Sequence, residues 1–130
     1  MKLQSRTVLV IDDQYETLDL LKLALEKNGY TVLTAANWEE AVYLVERTNN
    51  LKRKIDVILL DLMMPGRSGF DIYRALEVVL VPLPPVIMLS AVTGIDQQLQ
   101  ARELGITKYI TKPTTPAKLV AAIKEVLARK

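Results

Sequence analysis

Apolar residues along this chain gather in short unbroken runs, separated by longer stretches where they recur every three or four positions. The runs are Thr7-Val8-Leu9-Val10-Ile11, Val57-Ile58-Leu59-Leu60 and Val86-Ile87-Met88-Leu89. Tyr30-Thr31-Val32-Leu33-Thr34-Ala35 and the short Tyr109-Ile110-Thr111 join them. An uninterrupted Val/Ile/Leu run reads as a strand buried on both faces, the parallel-sheet type. The central one passes through Asp61 and Leu62-Met63-Met64 and stops at the turn pair Pro65-Gly66.

The intervening stretches have helical spacing and helical ends. Leu18, Leu21 and Leu25 share one face of a helix over 14–28, with Asp13 expected at its cap, Glu16 three residues on, and Asn28-Gly29 as its stop. Asn37 with Glu40 opens a second helix, whose apolar face is Ala41, Val42, Leu44 and Val45. The polar stretch 48–56, basic at Lys52-Arg53-Lys54, either extends that helix or forms a solvated loop. Ser68 with Asp71 opens a third, carrying Ile72, Tyr73, Leu76 and Val79 and ending before Pro82. Its apolar tail Val78–Val81 is expected in the core. Pro84-Pro85 enforces an extended approach to the next strand. Residues 94–104 form a weak, polar fourth helix, with Ile95, Leu99 and Leu104 on its face and Gly105 as its stop. Thr115 and Pro116 start the last helix, packed through Leu119, Ile123, Val126 and Leu127.

Strand and helix therefore alternate five times, which predicts a parallel sheet with helices on both faces and right-handed crossovers. The five strands fit the flavodoxin-like doubly wound order 2-1-3-4-5, a three-layer α/β/α arrangement. That order makes the first and third strands neighbours. Ligands of such sheets bind at the carboxyl ends of the strands. Here those ends deliver Asp12-Asp13, Asp61, Ser90 and Lys112. Taken singly, each has an ordinary explanation as a turn, a cap or a solvated residue. Their convergence on one sheet edge does not.

Composition narrows the chemistry. The chain has 130 residues, half hydrophobic and a quarter charged, which suits one domain spanning 1–130. It has no Cys and no His. That removes thiolate sites, the commonest general base and the commonest transition-metal ligand. A metal here is expected to be a hard cation on oxygen ligands, Mg²⁺ before Zn²⁺. Three carboxylates in one crevice repel one another and suit such a cation. A carboxylate can also be a nucleophile toward phosphorus once Mg²⁺ and Lys112 neutralise the approach, with the Ser90 hydroxyl bonding a phosphoryl oxygen. The net charge of +2 gives no ground for direct nucleic-acid binding. No apolar run reaches the roughly 20 residues of a membrane span, and no signal-peptide core follows the first residues, so the expected location is the cytoplasm.

Four motifs in this order resemble the receiver domain of two-component response regulators: Val8-Leu9-Val10-Ile11-Asp12-Asp13, Leu59-Leu60-Asp61-Leu62-Met63-Met64-Pro65-Gly66, Val86-Ile87-Met88-Leu89-Ser90-Ala91 and Lys112-Pro113. The resemblance runs from Val8 to Leu127. It implies that Asp61 accepts a phosphoryl group from a sensor histidine kinase or a phosphotransfer protein. It implies that Asp12, Asp13, Asp61 and the backbone carbonyl of Met63 hold Mg²⁺, with Mn²⁺ as a substitute. It makes Ser90 the switch hydroxyl, Tyr109 the switch aromatic and Lys112 the partner of the phosphoryl group or of Asp61. The fourth helix, fifth strand and fifth helix become the readout face, toward a downstream protein, an output domain beyond these residues, or a second copy in a homodimer.

By the same resemblance, Met63 and Val92 stand at positions that affect how water reaches the phosphoryl group, and both are apolar. A long-lived aspartyl phosphate is the expectation. Two rivals differ in chemistry. A haloacid-dehalogenase-like phosphatase needs a second Asp where Met63 stands, and a cap domain. A pseudo-receiver would bind without being phosphorylated, and the full acidic set speaks against it.

Overall fold

The structure is a computed structural model, and residues 5–91 and 94–129 are described. Its elements are β1 (Thr7–Ile11), α1 (Tyr15–Lys27), β2 (Thr31–Ala35), α2 (Trp38–Asn50), β3 (Val57–Asp61), α3 (Gly69–Val79), β4 (Val86–Ser90), α4 (Ile95–Leu104), β5 (Lys108–Thr111) and α5 (Pro116–Ala128). All five strands are parallel, in the order β2-β1-β3-β4-β5. This is the doubly wound arrangement expected from the alternating pattern.

Side chains alternate across each strand, so the sheet divides its apolar residues between two cores. Leu9, Ile11, Ile58, Leu60 and Met88 point to the face covered by α2, α3 and α4. Val8, Val10, Val57, Leu59, Ile87 and Leu89 point to the face covered by α1 and α5. Every residue of β3 and β4 is buried. That is why those runs carry no polar alternation.

The helix starts follow local chemistry. Asn37 accepts a hydrogen bond from the Glu40 N–H at 2.9 Å, and the Glu40 carboxylate accepts the Ala36 N–H at 2.7 Å. Ser68 accepts from the Asp71 N–H and Thr115 from the Lys118 N–H, both at 3.2 Å.

Three expectations are corrected. Asp13 does not cap α1. The cap position falls on Gln14, and it is Asp12 whose Oδ1 accepts the Gln14 N–H, at 2.9 Å. The chain turns into the helix one residue late, which leaves Asp13 free to face the crevice. On α4, Ile95 and Leu99 are 73% and 48% exposed, and Ala101 is the buried contact. Ala101 lies two positions, about 200°, from Leu99, so one helix cannot bury both. The small alanine is the one that meets the sheet.

The tail of α3 is the third. Val78 is 78% exposed and Val81 82%, while Val79 and Leu80 pack against the core. Leu76 and Val79 share the inward face three residues apart, which points Val78 outward. Leu80 is already extended, so Val81 follows the chain away from the core. The stretch 48–56 divides between the two alternatives. Thr48, Asn49 and Asn50 complete α2, a turn follows at Lys52 with φ of 56°, and buried Ile55 and Asp56 lead into β3.

Candidate functional site

The sheet reverses its winding at β1, which pairs with β2 on one side and β3 on the other. Above that point, at the carboxyl ends, the loops leaving β1 and β3 part and open a crevice. Asp12, Asp13 and Asp61 meet there, each with a carboxylate oxygen within 4.8 Å of the others. Asp12 is 1% exposed and Asp61 5%, while Asp13 is partly exposed at the mouth.

Each position has a backbone reason. Asp12 directly follows β1 and is held there by its N–H, which donates to the Ala35 carbonyl at 3.1 Å. Asp61 ends β3, and its Oδ1 accepts the Met63 N–H at 3.3 Å. The loop that follows is tied down when the Gly69 N–H donates to the Leu62 carbonyl at 2.7 Å. Lys112 arrives from the end of β5, two strands from β3. Its N–H donates to the Ser90 carbonyl at 2.7 Å, and the Lys112-Pro113 bond is cis. Its ammonium lies 3.1 Å from Asp12 Oδ2 and 3.4 Å from Asp61 Oδ1, bridging the two buried carboxylates.

These neighbours set the ionisation. Burial pushes the Asp61 carboxyl above the usual carboxylate range, and the charge of Asp12 adds to that. Lys112 and the Met63 N–H pull the other way without cancelling it. For Lys112, burial disfavours the ammonium, but Asp12 and Asp61 outweigh it and hold the lysine above its ordinary value.

Buried Ser90 ends β4, one residue beyond the Leu89 that pairs with Asp61. Tyr109 does not join the acidic crevice. It is half-buried on β5 and lines a groove of about 350 Å³ beside α4, together with Ile95 and Leu99. Met63 exposes its side chain at the rim. Val92 lies outside the described residues.

Two features escaped the sequence. A Cβ on Gly69 would lie 2.6 Å from the Asp61 carbonyl oxygen and 2.7 Å from Leu62 Cα. A glycine at the first position of a helix, where better helix formers serve, was the available signal. The Arg67 guanidinium sits 5.8 Å from the Trp38 ring centroid, a cation–π contact. That pair closes a cleft of about 340 Å³ running from Asp13 along Met64 and Pro65. No local pattern announces this contact, because the loops carrying it are far apart in the chain.

Chemically, the crevice can hold a hard divalent cation. Ligand oxygens at 2.0–2.1 Å from Mg²⁺ stand roughly 3–4 Å apart across an octahedron, so modest closure of the three carboxylates suffices. Without a cation the ionised Asp61 is held against its preference. A group with a raised folded pKa adds stability below its unfolded pKa and loses it as pH rises through the folded value. Asp61→Asn therefore melts higher than the parent at pH 7 without metal, and the gap closes below about pH 4. Mg²⁺ in hundredfold excess over Kd stabilises the parent by about 2.7 kcal/mol and the variant by much less. Thermal melts across pH, with Mg²⁺ and with EDTA, check both signs.

The profile of the response regulator receiver domain family matches residues 8–124. The phosphate regulon transcriptional regulatory protein PhoB of Pseudomonas aeruginosa is 40% identical over 126 residues, covering 95% of this chain and 52% of that protein. The chain thus spans about half the length of that curated relative. Among solved structures, a response regulator receiver domain protein from Clostridium thermocellum superposes with a TM-score of 0.83 at 34% identity, covering 95% of each chain. A Burkholderia pseudomallei response regulator protein, solved with a phosphorylated aspartic acid, a calcium ion and citrate, gives 0.78 at 29% identity, covering 96% of this chain and 72% of its own.

Proposed function

The chain belongs to the response regulator receiver domain family, and from that premise we propose that it is a phosphorylation-controlled signalling switch with Asp61 as the phosphoryl acceptor. One observation carries this reading: a buried carboxylate at a strand end, flanked by two further carboxylates and bridged by an ammonium. The similar Burkholderia protein, with its phosphorylated aspartic acid and bound calcium, supports it.

The donor is the phosphohistidine of a sensor histidine kinase or a phosphotransfer protein. An Asp61 carboxylate oxygen attacks phosphorus, the phosphorus–nitrogen bond breaks, and the imidazole leaves with the electron pair and takes up a proton. Asp12, Asp13, Asp61 and the Met63 carbonyl would hold Mg²⁺, or Mn²⁺ in its place. When bound, the cation neutralises charge on the phosphoryl oxygens. Lys112 supplies a second positive charge, moving from its carboxylate bridge to a phosphoryl oxygen.

Phosphorylation adds about −1.5 to −2 charge and three acceptor oxygens. Ser90 donates to one of them in a single conformation, which that bond selects. Tyr109, beside the α4 groove, turns toward the space that Ser90 leaves. The changed surface is α4, β5 and α5, read by a downstream protein, an output domain or a second copy. The sparse packing of α4, anchored at Ala101, suits an element that moves. This is a signalling domain and not an enzyme of multiple turnover. DNA contacts, if the protein is a transcriptional regulator like the Pseudomonas relative, belong to another domain.

Intact mass after incubation with Mg²⁺ and acetyl phosphate tests the acceptor. The parent gains one phosphoryl group and Asp61→Asn gains none. No gain where Mg²⁺ demonstrably binds would turn the reading to a pseudo-receiver, or to a receiver that takes phosphate only from its own kinase. With apolar Met63 exposed at the rim and an apolar residue, Val92, two positions after Ser90 in the sequence, the aspartyl phosphate persists for minutes or longer, and decay within seconds would remove that part of the reading.

A further inference from the structure

The opposite edge of the sheet, where the strands begin, carries a second concave surface. It lies between the segment leaving α2 and the segment joining α3 to β4, with a volume of about 680 Å³. Ile55, Leu80, Val81 and Leu83 give it an apolar lining, and Arg53 and Lys54 supply its charge. Pro82 and Pro84 complete one wall and offer no N–H donors. No carboxylate lines it. Neither Arg53 nor Lys54 makes an ion pair among the described residues, and both are exposed. Asp56, the acid nearest in sequence, is buried and committed to the Thr7 N–H and to Arg6.

Val81 is the most exposed large apolar residue of the chain's described part, and it lies where the pattern predicted core. An apolar lining beside two unpaired cations is complementary to carboxylates next to aliphatic side chains. We propose that this groove docks an acidic, leucine-bearing extended segment of a partner protein, with carboxylates on Arg53 and Lys54 and aliphatic groups on Val81 and Leu83. Nucleic acid is the poorer match, because phosphate backbones need a longer basic track and no apolar lining. The five residues of β3 separate the groove from Asp61 by roughly 13–16 Å. Docking here therefore leaves the acidic crevice open and does not depend on Asp61 being phosphorylated.

Fluorescence anisotropy of the whole chain with a labelled peptide of repeating glutamate–leucine–proline units tests this. Saturable binding below about 1 mM is expected, with amide NMR shifts confined to 53–55 and 79–84. Arg53→Gln with Lys54→Gln, and separately Val81→Ser, each weaken it about tenfold or more. A circular-dichroism melt matching the parent's shows that these variants are folded. Asp61→Asn binds as the parent does. A lysine-for-glutamate peptide and a leucine-free peptide bind at least about tenfold more weakly. No binding up to 1 mM overturns the proposal, as do shifts elsewhere, equal binding of the leucine-free peptide, or tighter binding of duplex DNA at the same residues. Self-association of the chain that Val81→Ser abolishes would also overturn it, by making a second copy the occupant.

Discussion

Lys112→Met is expected to slow phosphoryl uptake from acetyl phosphate by about 100- to 1,000-fold, the usual loss when a preorganised charge leaves a developing anionic transition state. The ammonium bridges Asp12 and Asp61 at 3.1 and 3.4 Å, so it already stands where charge must be neutralised. Methionine keeps much of the length and none of the charge. The variant also leaves two buried carboxylates unbridged and should lose about 2–3 kcal/mol of stability without metal, short of a fully buried pair because the lysine is partly exposed. The lysine's folded pKa is raised, so its stabilising contribution is complete below the unfolded lysine value and disappears as pH rises through the folded one. The stability gap between parent and variant therefore holds at pH 7 and closes in strong alkali. Urea denaturation at pH 7 and at strongly alkaline pH, above about 11, with rapid-quench phosphorylation at pH 7, measures both effects. An unchanged rate would remove Lys112 from the chemistry and leave it a structural bridge.

Gly69→Ala should cost about 2–3 kcal/mol although alanine is the better helix former by about 1 kcal/mol. The added Cβ would stand 2.6 Å from the Asp61 carbonyl oxygen and 2.7 Å from Leu62 Cα, both backbone atoms that no rotamer change can move aside. Relief requires α3 to back away from the end of β3, which also stretches the 2.7 Å bond from the Gly69 N–H to the Leu62 carbonyl. The loop carrying Met63 then shifts relative to Asp12 and Asp13. Mg²⁺ affinity is expected to fall about tenfold, alongside a lower urea midpoint. A stabilised Gly69→Ala variant would show that the start of α3 is loose and that the loop is not set by this contact.

The fold was legible because β1, β3 and β4 are unbroken apolar runs and three of the helices, α2, α3 and α5, carry caps that act locally. Asn37, Ser68 and Thr115 each bond a backbone N–H three residues away, a distance that sequence alone controls. The acidic set was legible for a related reason. In a parallel sheet every strand points the same way, so residues just after each strand share one edge whatever the details of packing. Asp12, Asp61 and Lys112 could be grouped before any geometry was known.

Other features depended on which neighbour arrived. The exposure of Ile95 and Leu99 follows from the face of α4 that meets the sheet, the one carrying Ala101, and Val81 is exposed because the chain leaves α3 extended at Leu80. Asp12 displaced Asp13 at the start of α1 by a one-residue delay in the turn. Gly69 against the Asp61 backbone, and Arg67 over Trp38, join loops that only the folded chain brings together. Strand direction and residue order set the chemistry of the carboxyl edge: which residues stand there, and that they are acids with a lysine. The distances that make those acids a crevice, the reach of Lys112 to Asp12, and the basic, apolar groove at the far edge came only with tertiary packing. Local patterns act through contacts a few residues apart, whereas these arise where separate loops converge.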